Sequence, residues 1–221
     1  MKSTYSKAAA GGAALFASAA LAVSVIPGSA QASGDGAARH GGTMTSAHLD
    51  PLNNSGAKGH AEVRTHYRKV HVEVRARGLL KGMPHAQHIH FGAKARHECP
   101  NVAQDDNNGD FRLTTVEGQP AYGPVRVSLT KRGDTSAASV LAVNRFPVAP
   151  KGKIDYERTT RTSKAVARGI RRGNAVVVVH GVDFNGNGKY DFRSAGKSEL
   201  DPSLPAEATD TALCGVLRRH H

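Results

Sequence analysis

The run Val70-His71-Val72-Glu73-Val74-Arg75-Ala76-Arg77 decides the fold class. Val70, Val72, Val74 and Ala76 alternate with His71, Glu73, Arg75 and Arg77, and a period of two puts the apolar side chains on one face of a strand and the polar ones on the other. A strand with one dry and one wet face belongs to an antiparallel sheet laid over a core. Just upstream, Ala61, Val63 and Thr65 alternate with Glu62, Arg64 and His66, and Tyr67-Arg68-Lys69 reads as the turn between the two strands. Gly78 ends the pair. Further strands are expected at 86–91, 125–130, 140–145, 154–160, 175–180 and 212–217, while 163–172 reads as a short helix or a crossing loop. Many short strands divided by Gly and Pro turns predict a sandwich or barrel. Trp is absent, aromatics are 5% and Gly numbers 24, so a small Val-built core with many turns suits an all-β domain better than a helical one.

At the N-terminus, Lys2 and Lys7 precede an apolar, Ala-rich stretch over 8–26, then Pro27-Gly28 and the small-residue signature Ala30-Gln31-Ala32. That order predicts a secretory signal peptide over residues 1–32, cleaved after Ala32. Ser and Gly interrupt the stretch, which argues against a retained anchor, and no later segment approaches the roughly 18 apolar residues that a membrane span needs. A secreted, extracytoplasmic protein is expected, with a flexible lead over 33–50 and a single domain over 51–221. In an oxidising compartment Cys99 and Cys214 are expected to form a disulfide. The bridge closes a loop that stabilises by on the order of 4 kcal/mol through loop entropy.

The formal charge is +12, of which Lys2 and Lys7 leave with the signal peptide. The remaining basic residues are scattered and no aromatic platforms accompany them, so nucleic-acid binding is not expected. A solvated basic surface is the plain reading, with attraction to anionic cell-wall polymers or small anions as the functional one.

His88-Ile89-His90 places two imidazoles on one face of a strand, where both can meet one metal ion, with Ile89 turned to the core. His180 ends the apolar run Val176-Val177-Val178-Val179, so it too can be aimed inward. The alternative is three unrelated strand histidines.

The stretch Gly78-Leu79-Leu80-Lys81-Gly82-Met83-Pro84-His85-Ala86-Gln87-His88-Ile89-His90-Phe91-Gly92 resembles the copper/zinc superoxide dismutase segment that carries two copper ligands. Cys99 falls where that family places the first half of its disulfide. Val178-Val179-His180 resembles the strand with a further copper ligand, and Leu213-Cys214-Gly215-Val216 the terminal segment with the second half of the bridge. Leu52-Asn53-Asn54-Ser55-Gly56 through Gly78-Leu79 also resembles the chordin-type domain, a relative with the same kind of sandwich. The resemblance implies a Greek-key β-sandwich or flattened barrel of the copper/zinc superoxide dismutase type, a Cys99–Cys214 bridge, and copper at His88, His90 and His180.

The departures bear on activity. Asp105 stands where the family has its histidine bridging copper and zinc, and no histidine cluster follows, so zinc is not expected. Thr211 stands where the family has its substrate-guiding arginine. Three imidazoles suit copper, with His85, His97 or Asp105 as candidates to complete the set.

Two loops invite a calcium reading. Residues 106–117 match the twelve-residue calcium pattern, with oxygen ligands at Asp106, Asn108, Asp110, Thr114 and Glu117 and Phe111 where a turn glycine belongs. Residues 183–191 match it in part through Asp183, Asn185, Asn187 and Asp191, with Ser194 in the closing position and Glu199 as a candidate to bend back. The alternative is a pair of ordinary Asx turns. Three functional classes follow: a copper-dependent superoxide dismutase lacking zinc, a copper-binding protein with weak or no turnover, and a calcium-stabilised chordin-like binding module. Superoxide or another small anion is the expected small partner.

Overall fold

The computed structural model describes residues 41–219. Its strands are β1 (Thr43–Pro51), β2 (Lys58–His66), β3 (Lys69–Arg77), β4 (Gln87–His90), β5 (Val125–Ser128), β6 (Lys153–Arg161), β7 (Val176–His180), β8 (Thr211–Val216) and β9 (Arg218–Arg219). The helices are α1 (Val102–Asp105), α2 (Thr115–Tyr122), α3 (Lys164–Arg172) and α4 (Ala206–Thr209). The strands run in the order β5-β4-β7-β8-β1-β2-β3-β6, with β9 on β1. Each pairing is antiparallel. β1 joins the two halves, because Thr43 to Leu49 pair with β2 while Asp50 and Pro51 pair with Cys214 and Leu213 of β8. The result is an all-β flattened half-barrel curled over one main core.

The alternating run behaves as its pattern demands. Val70, Val72 and Val74 are fully buried and meet Val63, Ile89, Val177 and Val179 in the core. Tyr67 and Arg68 make the tight turn between β2 and β3, Tyr67 at φ +52°. The 163–172 segment is a helix: the Ser163 hydroxyl caps it by accepting from the Val166 amide at 3.1 Å, and Val166, Ala167 and Ile170 are buried.

Two expectations are corrected. The flexible lead over 33–50 is a strand from Thr43 onward, so the domain begins ahead of residue 51. Its inward residues Thr45, Ala47 and Leu49 are buried, but Thr and Ala give a weak hydrophobic signal. Residues 33–40 and the signal peptide expected over residues 1–32 lie outside the described residues. The strand expected at 140–145 is instead a pair of 3-10 turns, Ala137–Ser139 and Val143–Arg145. The Asp134 carboxylate accepts from Ser136 and Ser139, and the Arg145 guanidinium donates to the Asp134 carbonyl at 3.0 Å, so local side-chain bonds displace a ladder. Among the described residues no helix is long and apolar enough to cross a membrane.

Candidate metal centre

β4 lies between β5 and β7, with His88 opposite Val178 and His90 opposite Val176. Strand parity then sorts the side chains. Ile89, Val177 and Val179 enter the main core, while His88, His90, Val176, Val178 and His180 share the other face. A register shift between Val179 and His180 marks an irregularity that can re-aim a side chain at the strand's end. Gly181 follows at φ +108°, and a Cβ there would fall 2.1 Å from the Tyr190 hydroxyl, so the chain leaves β7 by a path only glycine can take.

The three imidazoles converge. Their ligand atoms lie within 4.8 Å of one another, and the side chains are buried. The second nitrogen of each ring is tied to a backbone carbonyl: His88 Nε2 to Val140 at 3.2 Å, His90 Nδ1 to Gly123 at 2.8 Å and His180 Nδ1 to Thr209 at 2.6 Å. A carbonyl only accepts, so these nitrogens carry the hydrogens and the lone pairs fall on His88 Nδ1, His90 Nε2 and His180 Nε2. Those three atoms are buried and have no hydrogen-bond partner among the described residues. Each such orphan costs on the order of 1–3 kcal/mol. One cation at their common focus would satisfy all three, so the residues fit a metal.

Electrostatics agrees. Burial holds the His90 pKa at about 3 and the His180 pKa at about 4. His88 is pushed well below 6.5 by burial first and then by its His180 and His90 neighbours. All three rings are therefore neutral at pH 7, the form in which imidazole binds a metal.

The surroundings are aromatic and apolar. Phe146 stands edge-on to His88 with ring centres 5.2 Å apart, and Tyr122 edge-on to His90 at 4.4 Å, its hydroxyl donating to the Thr115 carbonyl at 2.7 Å. Beside His88 and His180 lies a pocket of about 20 Å³, large enough for one water-sized molecule, lined by Val125, Val140, Leu141 and Leu200 among others, none of them charged. The Cys99–Cys214 disulfide is formed, with Cα atoms 5.7 Å apart, and Cys214 packs with Tyr122, Val176 and Val178.

The candidates to complete the set do not join it. His85 has Nδ1 2.9 Å from the His180 carbonyl oxygen and Nε2 3.1 Å from that of Leu80. His97 has Nε2 on the Gly92 carbonyl at 2.8 Å and its ring stacked on Phe91. Asp105 is buried but held by the Arg96 guanidinium and the Asn101 amide. Thr211, paired with His180, is fully buried and uncharged.

The two loops are closed differently from the trio. In the first, Asp106 accepts from the amides of Asn108, Gly109 and Phe111, Asn108 from Asp110, and Asp110 from Arg112. Phe111 takes φ +61°, the strain expected where a glycine is missing. Thr114 and Glu117 form a capping box at the start of α2, and Glu117 also accepts from the Asn107 amide at 3.0 Å. In the second loop Asp183 accepts from Asn187 and Gly188, and the Asn185 and Asn187 amide groups donate to Asp191. The closing carboxylate there is Glu207, not Ser194 or Glu199. Fully buried, it accepts from the Phe184 and Asp191 amides and the Ser194 hydroxyl. Nothing in the sequence marks Glu207, because it arrives from a separate helix, α4. The three carbonyls that orient the histidines are equally silent, being backbone.

No family model matches the chain, and no curated protein matches its sequence.

Proposed function

We propose that this chain is an exported superoxide dismutase-like protein that holds one copper ion at His88, His90 and His180 and turns superoxide over slowly or not at all. The observation that carries the reading is the trio of buried, partnerless nitrogens, each presented by a ring whose other nitrogen is pinned to a carbonyl. Three neutral imidazoles suit copper, which also heads the affinity order of first-row divalent ions. Both cysteines are in the disulfide, so no thiolate competes for the ion. Copper bound there would supply one-electron redox chemistry. The protein's share is to hold three lone pairs at one focus in a dry site and to fix the rings by their second nitrogens. Weak turnover follows from what surrounds the trio. None of the residues lining the adjoining pocket is cationic, Thr211 replaces the anion-guiding arginine, and Asp105 is committed to Arg96.

Metal analysis of protein purified from the exported fraction tests the reading, with one copper per chain expected. A rapid, cyanide-sensitive dismutation rate would make this an active enzyme, and zinc or no metal at the trio would remove the copper assignment.

The second reading, a calcium-stabilised chordin-like binding module, is favoured by the side-chain oxygens of Asp106, Asn108 and Asp110 gathered in one turn behind Glu117, and of Asp183, Asn185, Asn187 and Asp191 beside Glu207. Its test is the melting temperature with calcium and with chelator, in the wild type and in Glu117→Gln.

A further inference from the structure

The outer face of β2, β3 and β6 carries its charges in rungs. Glu62, Glu73 and Glu157 stand opposite one another across the three strands, and further along the same strands so do Lys58, Arg77 and Lys153. Like charges on directly paired positions repel and destabilise a sheet. The acidic rung is partnered by nitrogen groups on both sides. His60 lies 3.2 Å from Glu62, His71 3.4 Å from Glu73 and 3.5 Å from Glu157, and Arg75 3.1 Å from Glu73. The basic rung has no such partners: among the described residues no carboxylate lies within 4 Å of Lys58, Arg77 or Lys153.

That uncompensated row lines a groove of about 1160 Å³. Lys131 adds a fourth cation and Arg75, paired with Asp155, a fifth, and Gly59, Ala76 and Ile154 also line it. Gly59 is required for the close approach of β2 to β3, since a Cβ there would fall 2.7 Å from the Arg75 carbonyl oxygen. The acids lining the groove are Asp50 and Asp155, and Asp155 is held by Arg75 at 3.4 Å. The groove shares no residue with the histidine site.

We propose that this groove binds a polyanionic glycan, a sugar chain bearing a sulfate, phosphate or carboxylate on successive residues. Neighbouring strands lie about 5 Å apart, so the rung presents a cation at each step of roughly 5 Å over roughly 10 Å, a spacing suited to a chain with an anion on each sugar and not to one isolated anion. No Phe, Tyr or Trp lines the groove to stack nucleic-acid bases. Bound anions would also remove the repulsion that the basic rung otherwise places on the sheet.

The experiment measures binding of a sulfated octasaccharide to the full chain across a salt series, beside an uncharged octasaccharide and a single-stranded oligonucleotide. The combined Lys58→Gln, Arg77→Gln, Lys153→Gln variant is expected to lose tenfold or more in affinity, with the slope of log affinity against log salt reduced by roughly 2–3. Its melting temperature should hold or rise, because three facing like charges are gone. Lys69→Gln with Arg161→Gln, a facing basic pair near the other end of β3 and β6, should leave affinity within about twofold of the wild type after its lower net charge is matched by salt. If the triple variant does not fold, Arg77→Gln alone should give a smaller loss in the same direction. Equal losses in the two variants would show net charge at work and overturn the groove. So would absence of octasaccharide binding, or oligonucleotide binding of equal strength lost through the same three substitutions.

Discussion

The histidine trio and the two Asp/Asn loops carry metal-ligand residue types in comparable number, yet their atoms are in opposite conditions. In the trio the three inward nitrogens have no partner and sit in a dry, apolar setting. In the loops the side-chain oxygens accept from backbone amides two to five residues on, and the closing carboxylates Glu117 and Glu207 are engaged through both oxygens. A cation adds free energy only where it meets unfilled acceptors. At the trio it replaces nothing and satisfies three orphans, whereas at the loops it must compete with bonds the chain already makes.

The largest expected effect breaks the trio. His180→Ala should lower copper affinity by more than about 100-fold, beyond the ~10–100-fold cost of disturbing groups that only support a ligand. Copper at a thousand times its dissociation constant stabilises a fold by about 4 kcal/mol, so the copper-dependent rise in melting temperature should vanish in the variant. A competition assay against a chelator of known affinity measures the first quantity and calorimetry the second. One copper held at wild-type strength by His180→Ala would mean that the orphan nitrogens are not the site.

A pH titration of the metal-free protein separates the two regions next. His90 at about 3 and His180 at about 4 lie below the ordinary value of 6.5, chiefly through burial. As pH falls below 6.5 the unfolded chain takes up protons that the folded chain refuses, so this contribution is full above 6.5 and is lost progressively toward 4. The loss should amount to a few kcal/mol, since each tenfold drop in proton affinity on folding is worth about 1.4 kcal/mol. Two of the loop carboxylates respond lower. Asp106 and Asp191 are held below the usual carboxylate value by hydrogen bonds from neighbouring amides, including those of Phe111 and Arg193, so what they contribute is present above about 4 and lost only under more acid conditions. Burial pushes the Asp210 carboxyl up to about 7, so it favours the folded state as pH falls and opposes the histidine loss. Chemical denaturation at pH 7, 5.5 and 4.5 should therefore show the decline in an Asp210→Asn background, where a flat profile to pH 4.5 would contradict the burial of the trio.

How far the sequence announces all this depends on where the physics is written. The β2–β3 pair is legible because Val70, Val72 and Val74 are strongly apolar on a period of two. β1 is not, because its inward places hold Thr45 and Ala47. His88 and His90 are legible as a pair through spacing alone, and His180 through the apolar run before it. What makes them a site is not legible: the carbonyls of Gly123, Val140 and Thr209 that fix the rings arrive from remote segments. The segment supplying Val140 reads as a strand until Asp134 and Arg145 are seen to fold it into turns. Glu207 is hidden for the same reason, since its partners at Phe184, Asp191 and Ser194 are joined to it only by the tertiary fold.

The smallest expected effect is that of calcium. Sites with few carboxylates outside cells bind in the roughly 0.1–1 mM range, so 1 mM calcium would stabilise by only about 0.4–1.4 kcal/mol. Glu117 sharpens the test because it has two roles. Its Oε1 accepts from the Asn107 amide and its Oε2 from the Thr114 amide, both at 3.0 Å. Glu117→Gln keeps the shape but turns one acceptor oxygen into a donor facing an amide donor, so the calcium-free protein should itself lose about 1–3 kcal/mol. If calcium binds, the variant should in addition lose the calcium-dependent rise in melting temperature, and Glu207→Gln should do the same for whatever part of the rise belongs to the second loop. If wild-type melting curves with calcium and with chelator coincide, the loops are turns stapled by buried carboxylates, and the destabilisation by Glu117→Gln will be identical under both conditions. The comparison with the trio then holds in its strongest form: filled hydrogen bonds leave a cation nothing to add.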